Sequence, residues 1–127
     1  MSKEIFDTFK FKSGAELKNR VLMAPMTIQA GYFDGSVTSE MIDYYQYRAG
    51  DASAIIVESC FVENHGRGFP GAIGIDNDDK IPGLKRLAEA IQAKGSKAIC
   101  NFIMPEEWQI LNLMKESSRY LQAPLQH

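Results

Sequence analysis

The stretch KGSKAICNFIMPEEWQILNLM, residues 94–114, joins two segments of different character. Gly95 ends a helix-like segment, and residues 97 to about 102 have the composition of a buried strand that closes an α/β unit. From 105 to 122 the pattern instead favours one amphipathic helix with a proline at its start. An α/β architecture does not predict a helix that opens in this way directly after the strand. The tail therefore needs an explanation separate from that of the preceding residues.

Upstream of this stretch, strand-like and helix-like segments alternate. Residues 54–57 are apolar on consecutive positions, as expected for a parallel strand that is buried on both faces. Pro25 ends an earlier apolar strand because proline cannot donate a ladder hydrogen bond. Short connections between such elements predict right-handed β-α-β units and a parallel sheet. In chain order, the predicted elements are a hairpin (9–12 with 16–17), a strand (20–24), a helix that begins at Thr38 or Ser39 and ends at Ala49, a strand (54–57), a helix (82–94) and a strand (97–102).

The composition excludes several classes of protein. Hydrophobic residues make up 45% of the 127 residues and the formal net charge is −2, which gives no basic surface for nucleic acid. The first residues, MSKEIFDTFKFK, lack the apolar core of a signal peptide, and no apolar run reaches the length of a membrane span. Cys60 and Cys100 suit a reducing compartment, and with His65 and His127 they show no metal-ligand spacing. We expect a cytoplasmic protein without a membrane partner or a metal site.

Candidate binding residues follow the predicted strands, because parallel α/β folds bind ligands at the carboxyl ends of their strands. Ala24, Pro25, Met26 and Thr27 follow the first of these strands. The proline frees backbone groups from the ladder and Thr27 adds a hydroxyl, so this surface can hydrogen-bond a flat heteroaromatic ring along its edge. The alternative interpretation is an ordinary strand end with a capping threonine.

Three further segments carry polar side chains with two interpretations each. Residues 66–68, Gly-Arg-Gly, can hold a phosphate or form a mobile active-site loop, and the absence of Walker spacing favours the loop. Residues 76–79, Asp-Asn-Asp-Asp, lack the glycine and glutamate of an EF-hand and are interpreted as a polar loop and helix cap. Glu58 ends a predicted buried strand and is either catalytic or an ion-pair partner of Arg20 or Arg48.

Together these pieces resemble a known family. LKNRVLMAPMT (17–27), YYQYRAG (44–50), AIIVES (54–59) and GRGFPGAIGIDNDDKIPGLKRLAEAIQAKGSKAI (66–99) are similar to the N-terminal part of old yellow enzyme-type NADH:flavin oxidoreductases. The motifs occur in the family's order and at its spacing. The resemblance implies an FMN-binding (β/α)8 barrel, which normally needs about 250 residues or more. The expected fold is thus α/β, the first three or so βα units of such a barrel over residues 1–99.

The resemblance also assigns roles to particular residues. Ala24, Pro25, Met26 and Thr27 match the segment that lines the flavin, where the threonine would tune the potential of the isoalloxazine ring. Ser59 matches the small residue that the family places beside the flavin. The family next has a glutamine and a His-Ala-Gly-Arg segment, whereas this chain has Asn101 and no such segment. The family's histidine pair, proton-donating tyrosine and phosphate-binding loops belong to later parts of the barrel, so no catalytic residue is assigned here.

The tail has an explanation at the level of the gene. Ordinary codons for residues 99–112, read from the third base of the first codon, encode LQLYHAGRMANPE, which contains the missing glutamine and the His-Ala-Gly-Arg segment. The following codons, in the same shifted frame, encode NEGKQPISASP, which is also typical of the family. We expect that one base was lost or gained near the codon for Ile99. Residues 100–127 would then be an out-of-frame translation whose helical pattern is accidental; the alternative is a genuine divergent helix.

The resemblance implies a parent activity of hydride transfer from NAD(P)H to FMN and on to a small-molecule acceptor such as an activated alkene. The chain alone is expected to be inactive, to bind FMN weakly or not at all, and to self-associate or aggregate through its open strand edges. Two alternatives remain. One is a non-catalytic interaction module that docks through the helix around Trp108, and the other is a different FMN barrel oxidoreductase.

Overall fold

The computed structural model describes residues 4–103 of the chain. Its elements in chain order are β1 (Phe9–Lys10), β2 (Glu16–Leu17), β3 (Leu22–Met23), α1 (Ser39–Arg48), β4 (Ala54–Phe61), α2 (Ile81–Ala93) and β5 (Lys97–Ile103). Short 3-10 turns span Asn64–Gly66 and Asp78–Lys80. The predicted tail, residues 100–127, extends beyond the described residues. The helix predicted over 105–122 lies entirely outside them.

The main sheet has the order β3-β4-β5 and is parallel throughout. The predicted β-α-β units are therefore confirmed, with α1 connecting β3 to β4 and α2 connecting β4 to β5. β1 and β2 form a separate antiparallel hairpin, as the sequence predicts. None of the helices within residues 4–103 combines the length and the apolar character that a membrane crossing requires.

Both helices begin and pack as their sequences indicate. Thr38 is the N-cap of α1, where its Oγ1 accepts a hydrogen bond of 3.1 Å from the Met41 N–H. Pro82 lies in the first turn of α2, where its missing N–H costs nothing. The apolar faces of the two helices and the central strand enclose one core, which consists of Val37, Met41, Tyr45, Ile55, Val57, Cys60, Ile73, Leu87 and Ile91.

Two strands differ in length from the prediction. β3 covers only Leu22–Met23 because the Val21 N–H is bonded to the side chain of Asn19, and Pro25 cannot continue the ladder. β4 continues to Phe61, well past the predicted end at 57. Ser59, Cys60 and Phe61 extend the strand because they are paired with Asn101, Phe102 and Ile103 of β5.

A bulge interrupts the pairing of β4 with β5. Ile56 is paired with Ile99, but Ser59 is paired with Asn101, so β4 contains one extra residue between these two pairs. The extra residue changes which side chains face the helices: Val57 and then Cys60, rather than Ser59, belong to the helix-facing core. β5 itself is regular and crosses the predicted boundary at residue 99 without interruption.

Candidate functional site

The predicted flavin-lining segment lies at the carboxyl edge of the sheet. Ala24, Pro25, Met26 and Thr27 follow β3 directly and are all exposed to solvent. Within residues 4–103, no turn or loop hydrogen bond engages the backbone N–H of Met26 or Thr27. The segment thus offers small side chains and unengaged donors at the edge where parallel strands bind ligands.

Ser59 lies on the neighbouring strand and is half-buried. Its Oγ accepts a hydrogen bond of 2.9 Å from the side-chain amide of Asn101, which is its partner in the β4–β5 register. The structure therefore joins the predicted site residue to the residue at the family's glutamine position. One hydrogen bond holds both side chains on the same face of the sheet.

Glu58 connects the two predicted parts of the site. Its side chain is fully buried, and its Oε2 accepts a hydrogen bond of 2.6 Å from the backbone N–H of Ile28, the residue after Thr27. The Glu58 N–H donates to the hydroxyl of Tyr45 at 2.8 Å. This carboxyl group, directly before Ser59 in the chain, thus fixes the end of the predicted flavin-lining segment to the central strand.

Burial governs the charge state of this carboxyl group. Desolvation raises the pKa of Glu58 above its ordinary value, and the backbone N–H groups of Ile28 and Gln29 offset part of that increase. Its second oxygen, Oε1, is buried and has no hydrogen-bond partner among the described residues. Sequence reasoning missed this role, because the partners are backbone groups that no motif records.

The predicted ion pair between Glu58 and Arg20 or Arg48 is wrong. Arg48 lies over the Tyr44 ring at 3.6 Å, and Arg20 lies over the Phe9 ring at 5.2 Å. A guanidinium group would have to be buried in the core to reach Glu58, and the desolvation of that charge is costly.

Two glycine-dependent contacts hold the segment that follows Thr27. Gln29 has a φ of 55°, a left-handed conformation that is uncommon outside glycine. Gly71, with a φ of 80°, accepts a hydrogen bond of 2.9 Å from the Gly31 N–H through its carbonyl oxygen. A Cβ atom at Gly71 would lie 2.4 Å from the carbonyl oxygen of Gln29, so the backbones can approach this closely only without a side chain.

The other polar loops have structural partners. Arg67 of the Gly-Arg-Gly segment donates to the carbonyl oxygens of Phe33 and Tyr32 and lies over the Phe33 ring, so the guanidinium is used to join two loops. Asn77 caps the turn Asp78–Lys80, and its Oδ1 accepts from the Asp79 N–H at 3.0 Å. The interpretation of residues 76–79 as a polar loop and cap is confirmed.

These residues fit one part of an FMN molecule. The exposed Ala24 and Pro25 leave room for a planar ring, and the unengaged donors at Met26 and Thr27 suit its polar edge. Ser59 supplies a small polar side chain on the neighbouring strand. The arrangement is compatible with one wall of a flavin site, and the contacts of these residues with a flavin stay a prediction.

Comparison with known proteins agrees with this geometry. Residues 4–115 match the NADH:flavin oxidoreductase / NADH oxidase family. The chain is 65% identical to an NADH:acrylate oxidoreductase of Vibrio harveyi over 96 residues, which are 76% of this chain and 10% of the relative. It is 60% identical to an NADH:fumarate oxidoreductase of Klebsiella pneumoniae (strain 342) over 98 residues, which are 77% of this chain and 11% of that relative. The chain thus spans about a tenth of the length of these relatives.

Solved structures show the same relationship. The old yellow enzyme homologue of Zymomonas mobilis superposes with a TM-score of 0.72 at 30% identity, over 79% of this chain and 28% of that one. Morphinone reductase in complex with tetrahydroNAD superposes with a TM-score of 0.72 at 31% identity, over 80% and 27%. The described α/β elements are therefore the N-terminal portion of a (β/α)8 barrel. The chain belongs to the NADH:flavin oxidoreductase / NADH oxidase family.

Proposed function

We propose that this chain carries the first wall of the flavin site of a cytoplasmic FMN-dependent NAD(P)H oxidoreductase. Ala24, Pro25, Met26, Thr27 and Ser59 are the residues that would contact the flavin. FMN, when bound, supplies the capacity to accept a hydride from NAD(P)H and pass it to an acceptor. Family membership sets aside a different type of FMN barrel, and the helix proposed as an interaction module lies outside the described residues.

One observation carries this proposal: the hydrogen bond between Glu58 and the Ile28 N–H joins the two candidate segments at the carboxyl edge of the sheet. Thr27 and Ser59 are the immediate neighbours of these two bonded residues. A buried carboxyl group that fixes a loop in this way pre-organises the residues beside it, as a binding site requires.

The names of two relatives, an NADH:acrylate and an NADH:fumarate oxidoreductase, indicate an acceptor for the parent enzyme. Acrylate and fumarate are both α,β-unsaturated carboxylates, in which the double bond is electron-poor and accepts a hydride readily. We therefore propose an activated alkene of this kind as the acceptor. The chain covers only about a tenth of those relatives, so this acceptor is proposed for the parent enzyme and not for the 127-residue chain alone.

The 127-residue chain by itself is proposed to lack the parent activity. A barrel has no free strand edges, whereas β5 is paired only with β4 among the described residues. Fluorescence titration of FMN with the purified chain should show weak binding or none, and NADH oxidation should not saturate. A yellow preparation that oxidises NADH with saturation kinetics would contradict this part of the proposal.

The proposal for the tail is that residues 100–127 are translated out of frame. The nucleotide sequence decides this, since the shifted frame must encode LQLYHAGRMANPE and continue into further barrel strands. An unbroken frame with codons incompatible with that peptide would refute it. The family match continues past residue 99 to residue 115, which makes the codons of residues 100–115 the most informative part of the gene.

Restoring the frame by one base tests the flavin wall directly. The expressed product is expected to be yellow, and Thr27→Val is expected to shift the flavin absorption or reduction potential because a hydroxyl group beside the ring is lost. Thr8→Val is the matched control, since Thr8 is also exposed but lies beside Ser53 and Lys97, at the opposite end of the strands. Equal spectra for Thr27→Val and the unmodified product would argue against a flavin contact at that position.

A further inference from the structure

Cys60 and Cys100 meet across the two longest strands of the sheet. Cys60 lies in β4 and Cys100 in β5, and their Sγ atoms are 3.8 Å apart. The bulge in β4 brings them together, because it turns Cys60 onto the helix-facing side of the sheet with Val57. The chain has two cysteines, so this pair includes every thiol that it contains.

The two thiols differ in their surroundings. Cys60 is buried in the core, whereas Cys100 is exposed and lines an apolar groove of about 300 Å³ between α2 and the sheet. Burial raises the pKa of the Cys60 thiol, since desolvation disfavours the thiolate. A dissolved oxidant therefore reaches Cys100 first, and Cys60 is held beside it as an internal partner.

From this geometry we infer that Cys60 and Cys100 form a site of reversible oxidation, where a peroxide joins them in an intramolecular disulfide. The Cys100 thiol is first oxidised to a sulfenic acid while one hydrogen peroxide is reduced and one water is released. The Cys60 sulfur then attacks the Cys100 sulfur, the S–O bond breaks and a second water leaves. In total the two thiols lose two electrons and two protons, which the peroxide accepts.

In the chain as translated, the disulfide would tie β5 to β4 next to the candidate flavin wall; the restored frame LQLYHAGRMANPE contains no cysteine at this point. Successive residues of a strand face opposite sides, so the bond would lie on the face opposite to the hydrogen bond between Ser59 and Asn101. The Sγ atoms must approach from 3.8 Å to a bond length of about 2.05 Å, which side-chain rotation and a small strand movement can provide.

The test measures disulfide formation in the full 127-residue chain. The reduced chain is treated with hydrogen peroxide, quenched in acid, alkylated and weighed by mass spectrometry. The expected product is a monomer about 2 Da lighter, without an alkylatable thiol and restored by dithiothreitol. Equilibration with glutathione redox buffers gives the effective concentration of one thiol at the other. This value should be at least about tenfold higher in native buffer than in guanidinium chloride. Loop-closure entropy limits the ratio of the two values to the order of several hundredfold.

A matched variant separates a built pair from general thiol reactivity. Cys100→Ser combined with Ile99→Cys keeps two thiols but moves one to the opposite face of β5. This variant should lose the native enhancement while behaving like the original chain in guanidinium chloride. A native effective concentration no higher than the denatured one, a disulfide-linked dimer as the main product, or an equal enhancement in the variant would each overturn the inference.

Discussion

Replacing Gly71 by alanine is expected to destabilise the fold strongly, and the structure gives the magnitude. The left-handed backbone, with a φ of 80°, costs a residue with a Cβ about 1–2 kcal/mol. The new Cβ would lie 2.4 Å from the carbonyl oxygen of Gln29, so the two backbones must separate. That movement breaks the hydrogen bond from the Gly31 N–H, which contributes about 0.5–1.5 kcal/mol. The combined loss of unfolding free energy is about 1.5–3.5 kcal/mol.

Gly68→Ala is the matched control in the same loop. A Cβ at Gly68 would meet no atom within 4 Å, so the expected change is about 0.5 kcal/mol or less. Urea unfolding followed by circular dichroism measures both variants. Equal midpoints for the two variants, or a loss below about 1 kcal/mol for Gly71→Ala, would refute the view that backbone proximity at residue 71 shapes the loop.

Three further predictions follow from buried polar groups. Tyr45→Phe should lower the free energy of unfolding by about 1–3 kcal/mol because it leaves the buried Glu58 N–H without an acceptor. The control, Tyr44→Phe, removes the neighbouring hydroxyl and should change the free energy of unfolding by less than about 0.5 kcal/mol in the same urea assay. Burial raises the pKa of Glu58 above its ordinary value of 4.5, so the stability that this group contributes is complete below that value and falls as pH rises through the folded-state pKa. Glu58→Gln should remove this decline. Stability profiles of the variant and the original chain that run parallel between about pH 4 and pH 8 would contradict this. Lys80→Met should lower the thermal midpoint because the buried ammonium group donates to the carbonyl oxygen of Asp34 at 2.5 Å. Lys85→Met, on the exposed face of α2, should have little effect on the thermal midpoint.

The sequence predicted the regular elements well, because their signals are local. Thr38 before a helical periodicity and Pro82 in a first turn identify helix starts from neighbouring residues alone. The consecutive apolar residues at the start of β4 reflect burial on both faces, which is confirmed for this strand. The family resemblance added the order of elements in space, since it implied a parallel barrel.

The sequence could not predict the features that depend on pairing between distant strands. The bulge in β4 exists only in relation to β5, so the change of phase that puts Cys60 rather than Ser59 in the core has no local signal. The role of Glu58 was misassigned for a related reason. Charge complementarity suggested an arginine partner, but a buried carboxyl group can be satisfied by backbone N–H groups, and these are present at every position of a sequence.

The carboxyl ends of the strands and the outer strand β5 differ in how completely the described residues pack against them. At the carboxyl ends of the strands, hydrogen bonds with Glu58 and Gly71 hold Ile28 and Gly31, which follow the predicted flavin-lining segment. Along β5, the outer strand of the sheet, Ile99 is 40% exposed and Phe102 is 61% exposed. Apolar groups in such positions are stabilised only when another surface covers them, and covering them in a barrel requires the following strands and helices. The candidate binding wall is therefore organised locally, whereas we expect the stability that would let it hold a flavin to depend on barrel closure. It follows that FMN binding and completion of the barrel should be gained or lost together.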